Sequence, residues 1–280
     1  MNGPRRPGLG VVVLLAAAAT ATACGGSPDS GPSSPSPSAP APSQTTASAA
    51  PVPAMRACYD MTFDQALAPT TRTDAVDCTD AHTTMTYRVG HLDSLAGDHL
   101  LAVDSTQVQN QVATTCPSAL QRFLGGDVED LRLSMLRPVW FTPTVAESEA
   151  GQGWYRCDVI AVAGSDKLLD LTGRLKGVLD DADRAATYAM CGTAKPGTTG
   201  FERVPCGLDH TWKAISTVAF PAGDYPGVAQ AKSLGEDTCK SAARKVADDA
   251  LDYQWGYEYP TRAQWNSGQT YGVCWAPDNS

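Results

Sequence analysis

Residues 143–157 read PTVAESEAGQGWYRC, and nearly the same skeleton returns at residues 260–274 as PTRAQWNSGQTYGVC. Seven positions match in register without a gap, which is more agreement than chance gives over fifteen residues. Self-similarity at a long period predicts an internal duplication. The matched pairs are Pro143 with Pro260, Thr144 with Thr261, Ala146 with Ala263, Gly151 with Gly268, Gln152 with Gln269, Trp154 with Tyr271, and Cys157 with Cys274.

The cysteines repeat in the same order as this skeleton. Cys24 stands apart, and the other eight form two sets of four: Cys58, Cys78, Cys116 and Cys157, then Cys191, Cys206, Cys239 and Cys274. In each set a histidine, His82 or His210, follows the second cysteine by four residues. The sequence therefore predicts two tandem domains at 55–165 and 188–277, joined by a connector at 166–187.

Disulfides and a metal site are the two explanations for these eight cysteines. An even number of cysteines in an exported chain is typical of disulfides, and four per domain allow three pairings. Sequence does not select one of the three, but the order of the cysteines favours Cys58–Cys78, Cys116–Cys157, Cys191–Cys206 and Cys239–Cys274. A structural zinc site needs four ligands, and neither repeat has a second matched histidine. We therefore expect disulfides, no metal and no cofactor.

The hydrophobic pattern predicts an α+β fold. HTTMTYRVG and HTWKAISTV have the composition of strands, and GWYRCDVIAVAG is a clear strand followed by a second run, LTGRLKGVL. Apolar residues recur every fourth position from Val108 to Leu124, which predicts a helix, and the segment from Val228 to Val246 follows this pattern less regularly. We expect two tandem disulfide-stapled domains, each a small sheet with one main helix. The connector carries three carboxylates that we expect to be exposed: Asp180, Asp181 and Asp183.

The first 24 residues have the features of an export signal. Arg5 and Arg6 precede a short uncharged apolar stretch, which ends in the small residues ATA directly before Cys24. This arrangement resembles a bacterial lipobox, whose cysteine receives a diacylglycerol and becomes the new N-terminus. The alternative is ordinary secretion with an unmodified cysteine. We expect lipidation of Cys24 and anchoring to the outer face of the cell membrane.

Residues 25–54 consist mostly of Ser, Pro, Ala and Thr, which predicts a disordered linker between the anchor and the domains. The whole chain has 21 basic and 30 acidic residues. Without Arg5 and Arg6 the net charge is −11, which disfavours nucleic acid as a partner and also disfavours direct electrostatic docking on anionic lipid.

Together these elements resemble the septum-formation domain family, found in exported and membrane-anchored proteins of actinobacteria. Its pattern is a cysteine, V-P-C-x-x-x-H, a helix with a cysteine, then Pro-Thr, Trp and a last cysteine. The first repeat shows VDCTDAH, RFLGG, FTPT and GWYRC, and the second shows VPCGLDH, YPT and YGVC. Asp77, Ala81 and Asp209 depart from the family's prolines, so the resemblance does not imply that both repeats bind the same ligand. It implies a role in the cell envelope, at the division septum.

No catalytic motif such as G-x-S-x-G or H-E-x-x-H is present, so we expect a protein without enzymatic activity. An acid–base pair formed by Asp80 with His82, or by Asp209 with His210, is the enzymatic alternative, and it would indicate an envelope hydrolase.

The leading hypothesis is a lipoprotein that binds an envelope protein or glycan. A sensor or adaptor with a soluble ligand between its domains is the second hypothesis. The six tryptophans are explained by core packing or by an aromatic binding groove. Trp265 lies in the polar stretch RAQWNSGQ, which makes it the tryptophan we expect to be available for binding.

Overall fold

The computed structural model describes residues 52–278, and Cys24, the signal segment and most of the linker lie outside the described residues. Helices and strands are both present, as the sequence predicts. The strands are β1 (Cys58–Tyr59), β2 (Thr84–His91), β3 (Leu95–Ala96), β4 (His99–Leu100), β5 (Leu136–Phe141), β6 (Trp154–Ala161), β7 (Met190–Gly192), β8 (Arg203–Pro205), β9 (Trp212–Ala219), β10 (Gly256–Glu258) and β11 (Tyr271–Pro277). The helices are α1 (Phe63–Leu67), α2 (Thr106–Leu124), α3 (Val128–Arg132), α4 (Val145–Glu149), α5 (Ala182–Ala186), α6 (Val228–Val246) and α7 (Arg262–Asn266), with a 3-10 turn at Val178–Asp180.

The four strands of the first sheet have counterparts in the same antiparallel order in the second sheet, which has β8 as an additional edge strand. The first has the order β1-β2-β6-β5, and the second has β10-β11-β9-β7-β8, in which β7, β9, β11 and β10 correspond to β1, β2, β6 and β5. Both sheets also contain a bulge at the same place. Tyr87 is unpaired between Thr86 and Arg88, and Ile215 is unpaired between Ala214 and Ser216. A bulge retained at matched positions supports the duplication that the skeleton indicates.

One long helix covers each sheet, and a disulfide joins the helix to the last strand. In α2 every fourth residue is buried, from Val108 to Leu124, as predicted. In α6 the buried residues are small: Ala231, Gly235, Cys239 and Ala243. The expected apolar positions Val228 and Val246 are each 58% exposed, so that part of the helix prediction was wrong. The ring of Tyr257 fills the space beside Gly235, where a Cβ would lie 2.1 Å from its Cζ.

Four disulfides are present within residues 52–278, and all of them join cysteines of the same repeat. The pairing follows the order of the cysteines: Cys58–Cys78, Cys116–Cys157, Cys191–Cys206 and Cys239–Cys274. Closing a loop in the unfolded chain stabilises the fold by about 2–4 kcal/mol per disulfide.

The segment expected to be a connector packs against the first repeat. Leu171, Leu175, Val178 and Leu179 are buried in the core between α2 and the first sheet. LTGRLKGVL is not a second strand, because Gly173 and Gly177 adopt positive φ of 66° and 68° and the chain turns at both. Asp180, Asp181 and Asp183 are exposed as expected. They also order the backbone, since Asp180 accepts a hydrogen bond from Gly126 N, and Asp181 caps α5.

The two repeats share one interface. Met135 N donates to Tyr188 O, and Met190 N donates to Leu133 O, both at 2.7 Å. Met135 packs against the outer face of the second sheet, where the buried residues are Trp212, Ala214, Val273 and Trp275. Within residues 52–278, no helix combines the length and the apolar character that crossing a membrane requires.

Candidate functional site

The duplicated Pro-Thr skeleton forms a helix cap in both repeats. Thr144 accepts a hydrogen bond from Glu147 N and donates its own amide to the Glu147 carboxylate, and Thr261 does the same with Gln264. The hydrogen bonds from Thr144 lower the pKa of Glu147. Thr, Ser or Asp three residues before Glu or Gln is a capping box, so the sequence already contained this signal.

The rest of the skeleton turns the chain back into the sheet. Pro143 and Pro260 are buried before the caps. Gly151 and Gly268 follow the short helices with φ of 95° and 98°, which favour glycine. The strand that carries the last cysteine starts a few residues later. The repeated motif residues therefore have a structural role.

The two histidines contact backbone carbonyls. His82 Nδ1 lies 2.8 Å from the Asp80 carbonyl oxygen, and His210 Nδ1 lies 2.7 Å from the Leu208 carbonyl oxygen. His82 is buried, and His210 Nε2 lies 3.6 Å from the Asp278 carboxylate. Neither ring uses the carboxylate of Asp80 or Asp209 in these contacts, so the structure does not assemble the acid–base pairs that the sequence left open.

One group of described residues has metal-ligand chemistry. The donor atoms of Cys191, Cys206 and His210 lie within 4.8 Å of one another. Both sulfurs are joined in a disulfide, and zinc is bound by thiolate sulfur. This group therefore does not fit a metal ion while the disulfide is formed.

Trp265 is a packing residue, and the expectation that its ring is available to a ligand is wrong for this fold. It is 9% exposed and lies in α7. Its ring makes edge-on contacts with Phe220, at 5.6 Å between centroids, and with Tyr225, at 5.8 Å. The Arg262 guanidinium lies over the Tyr225 ring, 5.0 Å from its centroid. The polar residues around Trp265 in the sequence lie on the exposed side of the short helix α7.

A cavity of about 530 Å³ in the first repeat is the best candidate for a binding site, and we call it the basic groove. It opens between the bulge of β2, the end of α2 and the segment after β6. Its lining comprises Met55, Arg56, Met85, Tyr87, Phe123, Gly173, Arg174, Leu175 and Lys176. The sequence analysis missed this site because its lining comes from four separate stretches of chain.

The floor of the basic groove is apolar and held in place. The rings of Tyr87 and Phe123 stack with centroids 5.7 Å apart. The Tyr87 hydroxyl turns inward and donates to the Cys116 carbonyl at 2.7 Å, and burial raises its pKa. Leu175 is buried and Met85 is half-buried beside them. Tyr87 is 6% exposed, so its ring supports the floor from below, and the half-buried side chains of Phe123 and Met85 supply apolar surface to the groove.

The rim of the groove is basic. Arg56, Arg174 and Lys176 line it without being buried, and the lining contains no carboxylate. The amide of Arg56 donates to Thr86 O at 3.0 Å, so its backbone continues the ladder beyond β1. Arg174 lies between Gly173, which turns the chain, and the buried Leu175. Both arginines are thus placed by ordered backbone.

A second groove occupies the matching place in the second repeat, and we call it the polar groove. Ile215 replaces Tyr87 at the bulge, and Val246 replaces Phe123 when the helices are aligned on their cysteines. Its lining includes Glu129, Asp237 and Lys245. The Glu129 carboxylate, which comes from the first repeat, accepts hydrogen bonds from the amide and hydroxyl of Thr217 at 2.7 and 3.3 Å. The two grooves share a position but differ in chemistry.

A buried ion pair lies on the outer face of the first sheet. Arg156 and Asp158 are 2.9 Å apart, and the Thr86 hydroxyl donates to the other Asp158 oxygen at 2.7 Å. The guanidinium lies over the rings of Tyr59, at 3.9 Å, and Phe141, at 4.7 Å. Burial raises the pKa of Asp158 to about 6, and the charge of Arg156 opposes this rise. No sequence pattern singled out this pair.

Comparison with known proteins identifies one family. A family model described as septum formation matches residues 22–146 and again residues 140–274. The two matches overlap at residues 140–146, upstream of the point where the second sheet begins. No curated protein and no solved structure matches the chain.

Proposed function

The chain belongs to the septum formation family, and from this premise we propose that it is a non-enzymatic binding protein on the outer face of the cell membrane. Family membership gives it a role in septum formation or the cell envelope. A lipid on Cys24 would hold it there, and residues 25–54 would act as the spacer. The four disulfides fit an oxidising compartment.

The basic groove is the observation that carries the binding role. A cavity of about 530 Å³ with an apolar floor and a few polar groups at its rim has the usual form of a ligand site. Its nine lining residues include no histidine, carboxylate, hydroxyl of serine or threonine, or thiol. The Tyr87 hydroxyl donates inward to the Cys116 carbonyl, which leaves the Lys176 amine as the one nucleophilic group that the lining offers to a ligand. No histidine or carboxylate of the lining can act as its general base, which favours binding over hydrolysis.

The space between the repeats is a weaker site for a soluble ligand. It has a volume of about 390 Å³, and its charged groups already have partners. Arg203 pairs with Glu258 at 2.9 Å, and Arg137 donates to the carbonyls of Ser134 and Leu136. A ligand would have to displace these contacts.

The anchor is tested by labelling cells with an alkyne analogue of palmitate and replacing Cys24→Ala. The natural chain should carry the label and partition into detergent, whereas the variant should lose the label and leave the membrane fraction. A variant that keeps the label would refute lipidation at this cysteine.

The binding role is tested by photo-crosslinking in cells. A photoreactive residue in place of Met55, at the mouth of the basic groove, should give an adduct with an envelope component. The matched control replaces Ser241 in the polar groove. Equal adducts from both positions, or none from Met55, would contradict binding at the basic groove.

A further inference from the structure

We propose that the basic groove binds a membrane lipid whose phosphate headgroup has a net negative charge, with the phosphate held by Arg56, Arg174 and Lys176. The apolar chain of the lipid then lies against Phe123 and Met85. This inference rests on the proposed function of the groove and names the chemical class of its ligand.

The three cations at the rim have no ion-pair partner within residues 52–278. The ion pairs in this part of the chain use other basic residues: Arg156, Arg203, His210, Lys213 and Lys240. The chain as a whole has a net charge of −9, so an uncompensated basic cluster runs against its average. Guanidinium groups match phosphate oxygens in charge and geometry, and lysine adds a mobile positive charge. A ligand that is complementary to this rim therefore carries a negative charge.

The floor adds a second requirement. Inorganic phosphate would leave the half-buried side chains of Phe123 and Met85 in contact with water. An aliphatic chain would cover them, with about 25 cal/mol gained per Å² of apolar surface removed from water. A ligand with an anionic headgroup and an apolar tail can contact both the basic rim and the apolar floor. The proposed anchor on Cys24 places the protein at a lipid surface.

The lining of the polar groove in the second repeat explains why we expect one lipid-phosphate site rather than two. In the polar groove, Glu129 and Asp237 would repel a phosphate, and Lys245 is the one cation of the lining. Ile215 and Val246 stand where the first repeat has the two stacked rings, and no aromatic side chain lines the polar groove. The polar groove is therefore a built-in control for the basic groove.

The test uses the whole mature chain, residues 24–280, with Cys24→Ala so that no attached lipid competes. Calorimetric titration with dihexanoyl phosphatidic acid, which is soluble as single molecules, should show one site. Dihexanoyl phosphatidylcholine and inorganic phosphate should each bind at least tenfold more weakly. The double variant Arg174→Gln/Lys176→Gln changes only side chains at the rim and should weaken binding at least tenfold, whereas Lys245→Gln should leave it unchanged.

Equal affinity for phosphatidylcholine or for inorganic phosphate, or equal affinity of the double variant, would overturn the assignment of an anionic lipid. An adduct between Met55 and a protein or glycan, without lipid binding in the titration, would keep the proposed function and reject this ligand. Absence of both the adduct and the titration signal would reject the two together.

Discussion

Replacing Asp158→Asn should make the chain more stable at neutral pH and leave its stability at pH 4 nearly unchanged. Asp158 is fully buried, and burial raises its folded-state pKa to about 6 from a value of 3.8 for an exposed carboxyl. An acid whose pKa is raised on folding contributes stability that is present below pH 3.8 and is lost as the pH rises through 6. The natural chain therefore loses stability in this window, whereas a neutral asparagine does not.

The size of the effect follows from the pKa difference of about two units. Each unit corresponds to about 1.4 kcal/mol, so Asp158 lowers the free energy of unfolding by about 3 kcal/mol between about pH 3 and pH 7.5. In a chain of this length the melting temperature changes by about 2–4 °C per kcal/mol. The asparagine side chain that replaces Asp158 can still exchange hydrogen bonds with Thr86 and Arg156, because its amide both donates and accepts.

The alternative outcome comes from the partner cation. Removing one member of a buried ion pair often costs about 3–5 kcal/mol, because the other charge is left uncompensated. Here the Arg156 guanidinium keeps its contacts with the faces of Tyr59 and Phe141, which stabilise a cation without the carboxylate. We therefore expect the loss of the ion pair to cost less free energy of unfolding than the removal of the buried carboxylate charge gains.

The assay is guanidinium chloride denaturation at pH 4, 5, 6 and 7.5 with the disulfides intact. The difference in free energy of unfolding between the natural chain and Asp158→Asn, followed over pH, separates the contribution of this carboxyl from those of other titrating groups. Arg156→Met is the companion variant, and it should move the loss of stability to higher pH, because the opposing positive charge is removed. A difference that does not change with pH, or an Asp158→Asn variant several kcal/mol less stable at pH 7.5, would refute the reasoning.

Two further predictions concern the matched motifs. His82→Ala should lower the melting temperature by about 2–4 °C through loss of the contact with the Asp80 carbonyl, and His210→Ala should have a smaller effect because its ring is less buried. An unchanged melting point together with loss of an assayable activity would contradict the structural role. Thr144→Ala and Thr261→Ala should each cost about 1 kcal/mol in a denaturation assay, while serine at either position restores the cap. Equal stability of the alanine and serine variants would argue against the cap.

Local patterns were enough to predict much of the fold. The buried stripe of α2 follows from apolar residues at every fourth position, and the paired contexts of the cysteines indicated the duplication and the order of pairing. These features depend on residues close in sequence or on a repeated order. The shared strand order of the two sheets agrees with them.

Features that depend on distant partners could not be predicted in this way. Gly235 lies in the buried stripe of α6 because the Tyr257 ring occupies the space beside it, and that partner lies in a separate strand further along the chain. Trp265 has polar neighbours in the sequence, but its ring is covered by Phe220 and Tyr225 from a preceding loop. The basic groove has the same character, since its lining comes from separate stretches that meet only in the folded chain.

The order of the two repeats decides which charged side chains reach each groove. Helix α3 follows the main helix of the first repeat and reaches the second sheet, where Glu129 bonds to Thr217 inside the polar groove. The corresponding place in the first repeat receives the segment after β6 instead, and that segment brings Arg174 and Lys176 to the rim. Exchanging residues between the grooves would therefore not exchange their functions, because Glu129 would still reach only the second sheet. The different charges of the two grooves, and with them the proposed binding in the first repeat alone, follow from how the repeats are connected, even though their strand orders correspond.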